Sequence, residues 1–200
     1  MPTGVALGDV RGRLFDAAER VLLRDGPSGL TSRAVTAEAG CAKGVLHRHF
    51  ADFDDFLAEL VHDRATRMDV RAATLLGAAG TGSVTGNLTE AVTAVFESVA
   101  VAIVALVTFR DELRARLRRT WPTGVPILTE AVTMTSAYLA AERDLGRITA
   151  DADVDTLATS LIGAAHLLFA DRTGTRPTPE DVHRTVSAIL SGVIVQQPLF

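Results

Sequence analysis

The sequence predicts an all-α protein of about nine helices. Apolar residues recur at helical spacing along nearly all of its 200 residues, and no stretch shows the sustained alternation of a half-buried strand. Aromatic residues make up only 5% of the chain while Ala, Val, Leu and Thr are plentiful, which favours helices packed closely on one another. Glycine and proline separate the periodic stretches, as expected where helices end.

The periodic stretches define the helices in order. They are predicted over residues 9–25, 31–40, 42–50, 52–76, 88–107, 110–119, 127–145, 153–171 and 179–195. Gly26 and Pro27 close the first helix, and Thr31 or Ser32 caps the second. Gly40 ends that second helix as a left-handed stop, because glycine adopts positive φ without a steric penalty.

The stretch GAAGTGSVTG at residues 77–86 is the clearest interruption of the helical pattern. Glycine is costly to hold in a helix, so a flexible connector is expected there. The helix that follows it, residues 88–107, is apolar on nearly every side, which indicates a central position in the fold.

The cysteine content and the apolar runs bear on where the protein acts. The single cysteine, Cys41, excludes an intrachain disulfide and fits a reducing compartment. The N-terminus lacks the pattern of a signal peptide, and the longest apolar run, residues 99–107, is well short of the roughly 20 residues that cross a bilayer. We therefore expect a soluble, cytoplasmic protein with no membrane partner.

The charge is unevenly distributed along the chain. The net charge of −4 argues by itself against a nucleic-acid partner. Residues 1–50, however, carry seven Lys and Arg against five Asp and Glu, so the acidic excess lies in the rest of the chain. A mildly basic head on an acidic body suits a protein that approaches DNA head first.

Residues 30–50, LTSRAVTAEAGCAKGVLHRHF, hold two predicted short helices joined at Gly40 and Cys41. Neither is long enough to be stable alone, so both must pack on each other and on the first helix. The expected inward side chains are Leu30, Val35, Ala39, Cys41, Leu46 and Phe50. A tight turn at Gly40 sets the two helices at a steep angle, as in a helix-turn-helix whose second helix enters the major groove.

This segment resembles the helix-turn-helix of the TetR family, which reads L-T-x-R-x-[IVL]-A-x-x-A-G-V-S-x-G-T-[LI]-Y-x-[HY]-F. The residues that match in register are Leu30, Thr31, Arg33, Val35, Ala39, Gly40, Gly44, Leu46, His49 and Phe50. The motif resemblance covers about residues 10–60, and beyond them the helix count and spacing agree. It implies a three-helix DNA-binding domain over residues 1–52 and a ligand-binding and dimerisation domain over residues 53–200.

The resemblance also implies which residues face DNA. They are Arg33, Ala42, Lys43, Gly44, Val45, His47, Arg48 and His49. Without the matching register, the three cations of this set would be typical of solvated surface charges. Four positions depart from the family, whose serine, threonine, tyrosine and lysine are replaced here by Ala42, Val45, His47 and Phe53. Each replacement removes a hydroxyl or charge aimed at phosphate, although His47 can still donate a hydrogen bond and Val45 can contact a thymine methyl.

In the resembled family the last two helices pair with those of a second copy. The residues expected at such a homodimer interface are Leu157, Leu161, Ala164, Leu168, Val182, Val186, Ile189 and Val193. Ordinary packing within one chain would use the same residues. A dimer carries two recognition helices about one DNA turn apart and so binds a palindromic operator on double-stranded DNA.

The family's ligand cavity lies among the middle helices. The expected lining residues are Phe96, Val99, Ile103, Leu106, Phe109, Trp121, Met134, Tyr138 and His166. An apolar lining with few polar groups favours a small hydrophobic effector. The same aromatic and Met residues at helical spacing are equally typical of a plain core.

The resulting hypothesis is a ligand-responsive transcriptional regulator, a repressor that a small effector releases from DNA. No zinc-ligand, nucleophile-elbow or P-loop spacing occurs, so neither an enzyme nor a metal or cofactor site is predicted. The alternative is a helical small-molecule-binding protein whose DNA head is weakened by the four departures.

Overall fold

The computed structural model describes residues 7–170 and 175–195, and only the backbone of residues 7–9. Ten helices form over these residues, and the chain has no strand there beyond one isolated antiparallel bridge between Ile148 and Ile194. The helices are α1 (Leu7–Gly29), α2 (Ser32–Glu38), α3 (Leu46–His49), α4 (Phe53–Gly77), α5 (Val84–Phe96), α6 (Ala100–Phe109), α7 (Asp111–Leu117), α8 (Leu128–Asp144), α9 (Val154–Ala170) and α10 (Pro179–Leu190). The all-α prediction is confirmed.

The helix count differs from the predicted nine because the central apolar stretch is two helices. Residues 88–107 were predicted as one helix, but α5 ends at Phe96 and α6 begins at Ala100. The hydroxyl of Ser98 lies between them, donating to the carbonyl of Val95 and accepting from the N–H of Ala100. A serine that bonds to nearby backbone competes with the helical pattern, which accounts for the break.

The last helix is shorter than predicted. It ends at Leu190 rather than near residue 195. Beyond it the backbone turns and pairs with the segment after α8, where Thr149 N–H donates to Val193 O at 2.9 Å and Val195 N–H donates to Arg147 O at 3.0 Å. The tertiary pairing satisfies backbone groups that would otherwise continue the helix. The predicted end of α9 at residue 171 lies outside the described residues.

The chain divides into two compact units. The first unit holds the residues up to Arg64 together with Ala102–Val125, and the second unit holds Ala65–Val101 together with the residues from Pro126 onward. The predicted domain boundary at residue 52 remains a prediction. The two units are defined by the compactness of the fold and not by function, and α4 begins in the first unit and ends in the second.

An aromatic cluster forms the centre of the first unit. Phe50 lies against Phe15 of α1 and Phe56 of α4, with ring centroids 5.9 and 5.0 Å apart. Arg11 closes the cluster from outside, with its guanidinium 4.5 Å from the Phe50 ring centre and a 2.8 Å ion pair to Glu59. The residue that ends α3 is thereby anchored to two longer helices.

A buried arginine ties α4 to α1 within the first unit. Arg64 is almost fully buried and forms ion pairs with Asp16, Glu19 and the adjacent Asp63. Burial alone would lower the pKa of its guanidinium, but the carboxylates outweigh it and raise the pKa. Because the acidic groups are partly exposed, the pairing orients the two helices more than it stabilises them.

The second unit packs α9 against α5, α8 and α10. Its buried apolar side chains include Leu88, Val92, Val95, Phe96, Ala131, Met134, Leu139, Ala158, Ile162, Ala165, Val182, Val186 and Leu190. Thr178 caps α10, accepting from the N–H of Asp181, whose carboxylate in turn accepts from the N–H of Thr178. This capping box satisfies donors that the first turn of a helix leaves free.

No single described helix is long and apolar enough to cross a membrane. Val84–Phe96 and Ala100–Phe109 reach that length and composition only jointly, and the chain bends by 51° between them.

Candidate nucleic-acid interface and ligand site

The turn between α2 and α3 has the geometry that the motif predicts. The hydroxyl of Thr31 accepts from the N–H of Ala34 at 3.1 Å, which caps α2. Gly40 adopts φ +64°, and the N–H of Cys41 then donates to the carbonyl of Thr36 at 3.0 Å. A residue with a Cβ would be strained at this φ, so glycine makes the tight turn inexpensive.

The recognition element contains less regular helix than the predicted residues 42–50. α3 spans only Leu46–His49, and a turn precedes it in which Val45 N–H donates to Ala42 O at 2.9 Å. No side-chain oxygen caps α3. Ala42 stands where the resembled family has a capping serine, and alanine cannot accept from the free N–H groups of a first turn.

The residues predicted to face DNA lie mostly on an exposed surface. Arg33, Ala42, Lys43, Gly44, His47 and Arg48 are exposed, whereas Val45 and His49 are half-buried. The inward side of the same segment is buried at Leu30, Val35, Leu46 and Phe50, while Ala39 and Cys41 are only half-buried. We call the segment from Ala42 to His49 the recognition segment.

The basic side chains of the first unit fall into two groups. Arg20 and Arg24 both pair with Glu38, at 2.7 and 2.9 Å, and their hydrogen bonds lower the pKa of its carboxyl. Arg33, Lys43 and Arg48 form no ion pair with any residue that the structure describes. Arg118 and Arg119, beyond α7 in the same unit, are likewise exposed and form no ion pair with a described residue, so the predicted DNA-binding set supplies three of the unit's unpaired cations.

The departure at Phe53 has a structural counterpart. Its ring stacks on Phe56 at 5.7 Å and lies 5.5 Å from the guanidinium of Arg110. Arg110 also donates twice to Asp54, at 2.8 and 3.0 Å. Arg116 donates a single hydrogen bond to Asp52, at 2.5 Å. The start of α4, where the family has a lysine that contacts DNA backbone, is occupied here by contacts within the protein.

The predicted ligand-binding residues are divided between the two units. In the first unit Ile103 and Leu106 are buried, Phe109 is 80% exposed, and Trp121 is half-buried with its ring 4.7 Å from that of His62. In the second unit Phe96, Val99, Met134 and Tyr138 are buried and His166 is half-buried. Of these, Phe96 and His166 are in contact, with ring centroids 6.1 Å apart.

Tyr138 belongs to a buried polar network that the sequence did not predict. Its hydroxyl donates to the fully buried Glu142 at 2.6 Å and accepts from the side-chain amide of Asn87 at 2.9 Å. Burial, with Glu142 nearby, raises the pKa of the tyrosine. The available signal was Glu142 itself, a carboxylate one turn after Tyr138 on the buried side of α8.

The same network holds the glycine-rich stretch in place. Asn87 donates to the carbonyls of Ala78 and Thr81, Arg147 donates to that of Gly82 at 2.7 Å, and the N–H of Gly80 donates to Glu142. The expectation of a flexible connector over residues 77–86 is therefore wrong. Its backbone is bonded at several points, and its last residues already form the first turn of α5, capped by Ser83.

Three polar atoms of the second unit are buried without a hydrogen-bond partner among the described residues. They are the hydroxyl oxygens of Thr93 on α5 and Thr135 on α8, and Nδ1 of His166 on α9. Burial lowers the pKa of His166, so the neutral ring is favoured. Buried polar atoms normally have a hydrogen-bond partner, which sets these three apart from the other buried polar groups of the unit.

An open pocket of about 370 Å³ lies between α4 and α5 in the second unit. Its lining residues are Val70, Arg71, Thr74, Leu75, Ala78, Asn87, Glu90, Ala91 and Ala94. None of them was among the predicted ligand-binding residues. Sequence reasoning missed the pocket because it forms where small alanines on one helix face the side of another, and only tertiary packing brings those faces together.

The predicted dimer residues differ in exposure. Leu161, Val182 and Val186 are buried in the core of the chain itself, where packing within one chain accounts for them. Leu157, Ala164, Leu168, Ile189 and Val193 are half-buried. Ser160, Gly163 and Leu167 are exposed on the same helix α9, and Leu167 is 78% exposed.

Comparisons with known proteins agree with this geometry. Residues 14–60 match the sequence profile of the bacterial regulatory proteins of the tetR family. No curated protein matches the chain significantly in sequence.

Three solved structures illustrate the likeness of the fold. Escherichia coli NemR in its reduced form is 13% identical with a TM-score of 0.74, and the match covers 96% of this chain and 100% of that one. A protein from Mesorhizobium loti assigned to the TetR family of transcriptional regulators is 16% identical with a TM-score of 0.72, covering 94% and 98%. The regulator FadR from Bacillus subtilis, in complex with stearoyl-CoA, is 17% identical with a TM-score of 0.67, covering 90% and 98%. Residues 14–60 therefore match the helix-turn-helix model of the tetR family of bacterial regulatory proteins, and the chain shares its fold with solved transcriptional regulators of that family.

Proposed function

We propose that this protein is a ligand-responsive repressor that binds a palindromic operator as a homodimer and is released by a small hydrophobic effector. The observation that carries the proposal is the set of unpaired cations, Arg33, Lys43 and Arg48, on the exposed side of the helix-turn-helix. We expect it to act in the cytoplasm, where its DNA is found.

The unpaired state of these cations matters energetically. A cation already paired with a carboxylate must lose that partner before it binds phosphate, whereas an unpaired one exchanges only water and counterions. Arg20 and Arg24 are of the first kind, since both are engaged by Glu38. Within the helix-turn-helix, the positive charge available to DNA therefore lies at α2 and the recognition segment.

A second copy is needed to present two recognition segments to one operator. The exposed side of α9 supports this part of the proposal, because Ser160, Gly163 and Ala164 are small and Leu167 is a large apolar side chain in contact with solvent. Small residues allow two helices to approach closely, and burying Leu167 against a second copy removes apolar surface from water.

The effector is proposed to bind among α5, α8 and α9 of the second unit. Thr93, Thr135 and His166 offer polar atoms without a partner on these helices, and the ring of His166 contacts that of Phe96, which stacks on Phe169. The FadR structure with stearoyl-CoA supports an effector with a large apolar part. The protein has one conformation that fits the operator and another that does not. The ligand releases DNA only if its affinity for the second conformation is higher than its affinity for the first.

The test begins with selection of bound sequences from random DNA, with and without cell extract as a source of effector. Affinity for the selected operator is then measured against salt for Arg33→Gln, Lys43→Gln and Arg48→Gln. Each lost phosphate contact reduces the slope of log K against log salt by about 1, hence by about 2 for a dimer. Arg20→Gln is the matched control, because it removes the same charge from a paired arginine and should leave the slope nearly unchanged.

The alternative function is a small-molecule-binding protein with a weakened DNA head. It is favoured if no sequence is enriched at low salt in the absence of effector, or if Arg20→Gln changes the slope as much as the other three variants do. In that case the chain still binds its small molecule, and the Arg→Gln and Lys→Gln substitutions leave the affinity for that molecule unchanged.

A further inference from the structure

The α4–α5 pocket is mostly apolar and is formed by small side chains. Ala78, Ala91 and Ala94 leave a recess that Val70 and Leu75 flank. Its volume of about 370 Å³ falls within the range of roughly 300–1,000 Å³ that is usual for small-molecule sites. The residues that line it belong entirely to the second unit.

Two opposite charges also line this pocket. Arg71 of α4 is half-buried and Glu90 of α5 is exposed. Neither forms an ion pair, with the other or with any other residue in the part of the chain that is described. Elsewhere in the same unit, Arg147 and Arg184 do pair with acidic groups. The pocket thus holds one free cation and one free anion on opposite helices beside an apolar recess.

Asn87 gives this pocket a fixed wall. Its side-chain amide is held by Tyr138 at 2.9 Å and by Thr81 at 2.9 Å, so its orientation is determined by buried groups. Ala78, which also lines the pocket, accepts from the same amide. The recess is therefore pre-formed on this side, which reduces the entropy that binding costs.

We propose that the α4–α5 pocket binds a zwitterionic small molecule with an apolar body, of the class of apolar α-amino acids. The carboxylate of the ligand pairs with Arg71, its ammonium group pairs with Glu90, and its side chain fills the recess between Val70 and Ala94. A ligand with only one charge would leave the other residue unpaired or would be repelled by it. This site is separate from the effector site proposed above and does not depend on DNA binding.

The experiment is calorimetric titration of the full chain, without DNA, with four probes: L-phenylalanine, L-leucine, N-acetyl-L-phenylalanine and L-phenylalanine amide. The two amino acids should bind saturably. The acetylated probe lacks the ammonium group and the amide lacks the carboxylate, so each should bind at least roughly tenfold more weakly, as expected when a charge-assisted contact is lost.

Variants assign each charge to its residue. Arg71→Gln should abolish the preference for phenylalanine over its amide, and Glu90→Gln should abolish the preference for phenylalanine over the acetylated form. Ala94→Trp fills the recess from an exposed position and should remove binding. Arg67→Gln is the matched control, since Arg67 is exposed on α4 but does not line the pocket.

The proposal is overturned if neither amino acid binds saturably or if all four probes bind equally. It is also overturned if Arg71→Gln and Glu90→Gln keep both preferences of the unaltered chain. Circular dichroism establishes that each variant is folded. If Ala94→Trp does not fold, the two charge substitutions decide the matter by themselves. Because DNA is absent, a negative result leaves the repressor proposal unaffected.

Discussion

The hydroxyl of Tyr138 donates a 2.6 Å hydrogen bond to Glu142, one turn further along α8, where the carboxylate is completely buried. A buried carboxylate is costly unless its oxygens have donors. Glu142 has two, the hydroxyl of Tyr138 and the N–H of Gly80, and it also forms an ion pair with Arg147 at 3.3 Å. The pair thereby couples α8 to the glycine-rich stretch between α4 and α5.

Substitution of Tyr138 by Phe should loosen that stretch. The change removes one donor to Glu142 and one acceptor of Asn87 while keeping the ring, so the free energy of unfolding should fall by about 1–3 kcal/mol. Urea denaturation measures the loss, and hydrogen exchange should show faster amide exchange at residues 78–83. Thr133→Ala removes an exposed hydroxyl from the same helix and should change stability by less than about 0.5 kcal/mol. Unchanged exchange in the stretch would contradict the coupling.

Replacement of Ala42 by Ser should strengthen the recognition segment. A hydroxyl at this position can accept from the N–H of Gly44 in the turn that leads into α3, which itself lacks a side-chain cap. Caps of this kind contribute about 0.5–2 kcal/mol. We expect a higher unfolding midpoint and tighter binding to the selected operator. Ala37→Ser serves as control, because Ala37 is exposed within α2 and a serine there has no cap to form. Equal effects of the two substitutions would argue against capping.

His166 should make stability depend on pH. Burial lowers its pKa in the folded chain below the usual 6.5, so the unfolded chain takes up a proton that the folded chain does not. The free energy of unfolding should therefore fall as the pH drops below about 6.5, by at most about 1.4 kcal/mol per pH unit, and this contribution should be absent above that pH.

The measurement for His166 is urea denaturation between pH 7.5 and 5.5. His166→Gln should reduce the pH dependence, whereas His47→Gln removes an exposed histidine and serves as the control. The role of His166 is excluded if the free energy of unfolding of His166→Gln depends on pH as steeply as that of the unaltered chain.

Leu167→Arg should weaken the proposed dimer. The side chain is 78% exposed in the single chain, so the substitution should leave the fold intact while placing a charge on the face proposed to be buried. Sedimentation velocity should show a shift towards monomer and, with it, a loss of operator affinity. Leu145→Arg is matched to it, being another exposed leucine of the second unit, on α8's C-terminal end. Association that persists in Leu167→Arg would exclude this face.

The helix-turn-helix was predictable from sequence because its determinants are local. Thr31 caps the helix that begins at the next residue, and Gly40 provides the positive φ that its turn requires. The spacing of Leu46 and Phe50 already specifies which side is buried. The absence of a side-chain cap before α3 was also predictable, because Ala42 lacks the hydroxyl of the family's helix-capping serine.

The ligand sites were less predictable, because burial and hydrogen bonding there involve residues far apart in the chain. Tyr138 was expected to offer its hydroxyl to a ligand, yet Asn87 and Glu142 already use it. Phe109 is exposed, although it closely follows the apolar run at residues 99–107 that suggested a central helix. Spacing identifies an apolar face but not the face of the other helix that covers it.

By itself, the sequence determined the helical class of this protein, the position of its DNA-binding motif and the cations that the motif exposes, since each depends on residues within a few turns of one another. The tertiary structure decided that the glycine-rich stretch is held rather than flexible, because its partners Tyr138, Glu142 and Arg147 lie some 60 residues away on and beyond α8. It likewise decided which cations are unpaired and where a pocket opens between α4 and α5. Hydrogen bonds and cavities of that kind form only when helices that are distant in sequence pack against each other. The apolar periodicity of one segment does not predict which other helix it packs against.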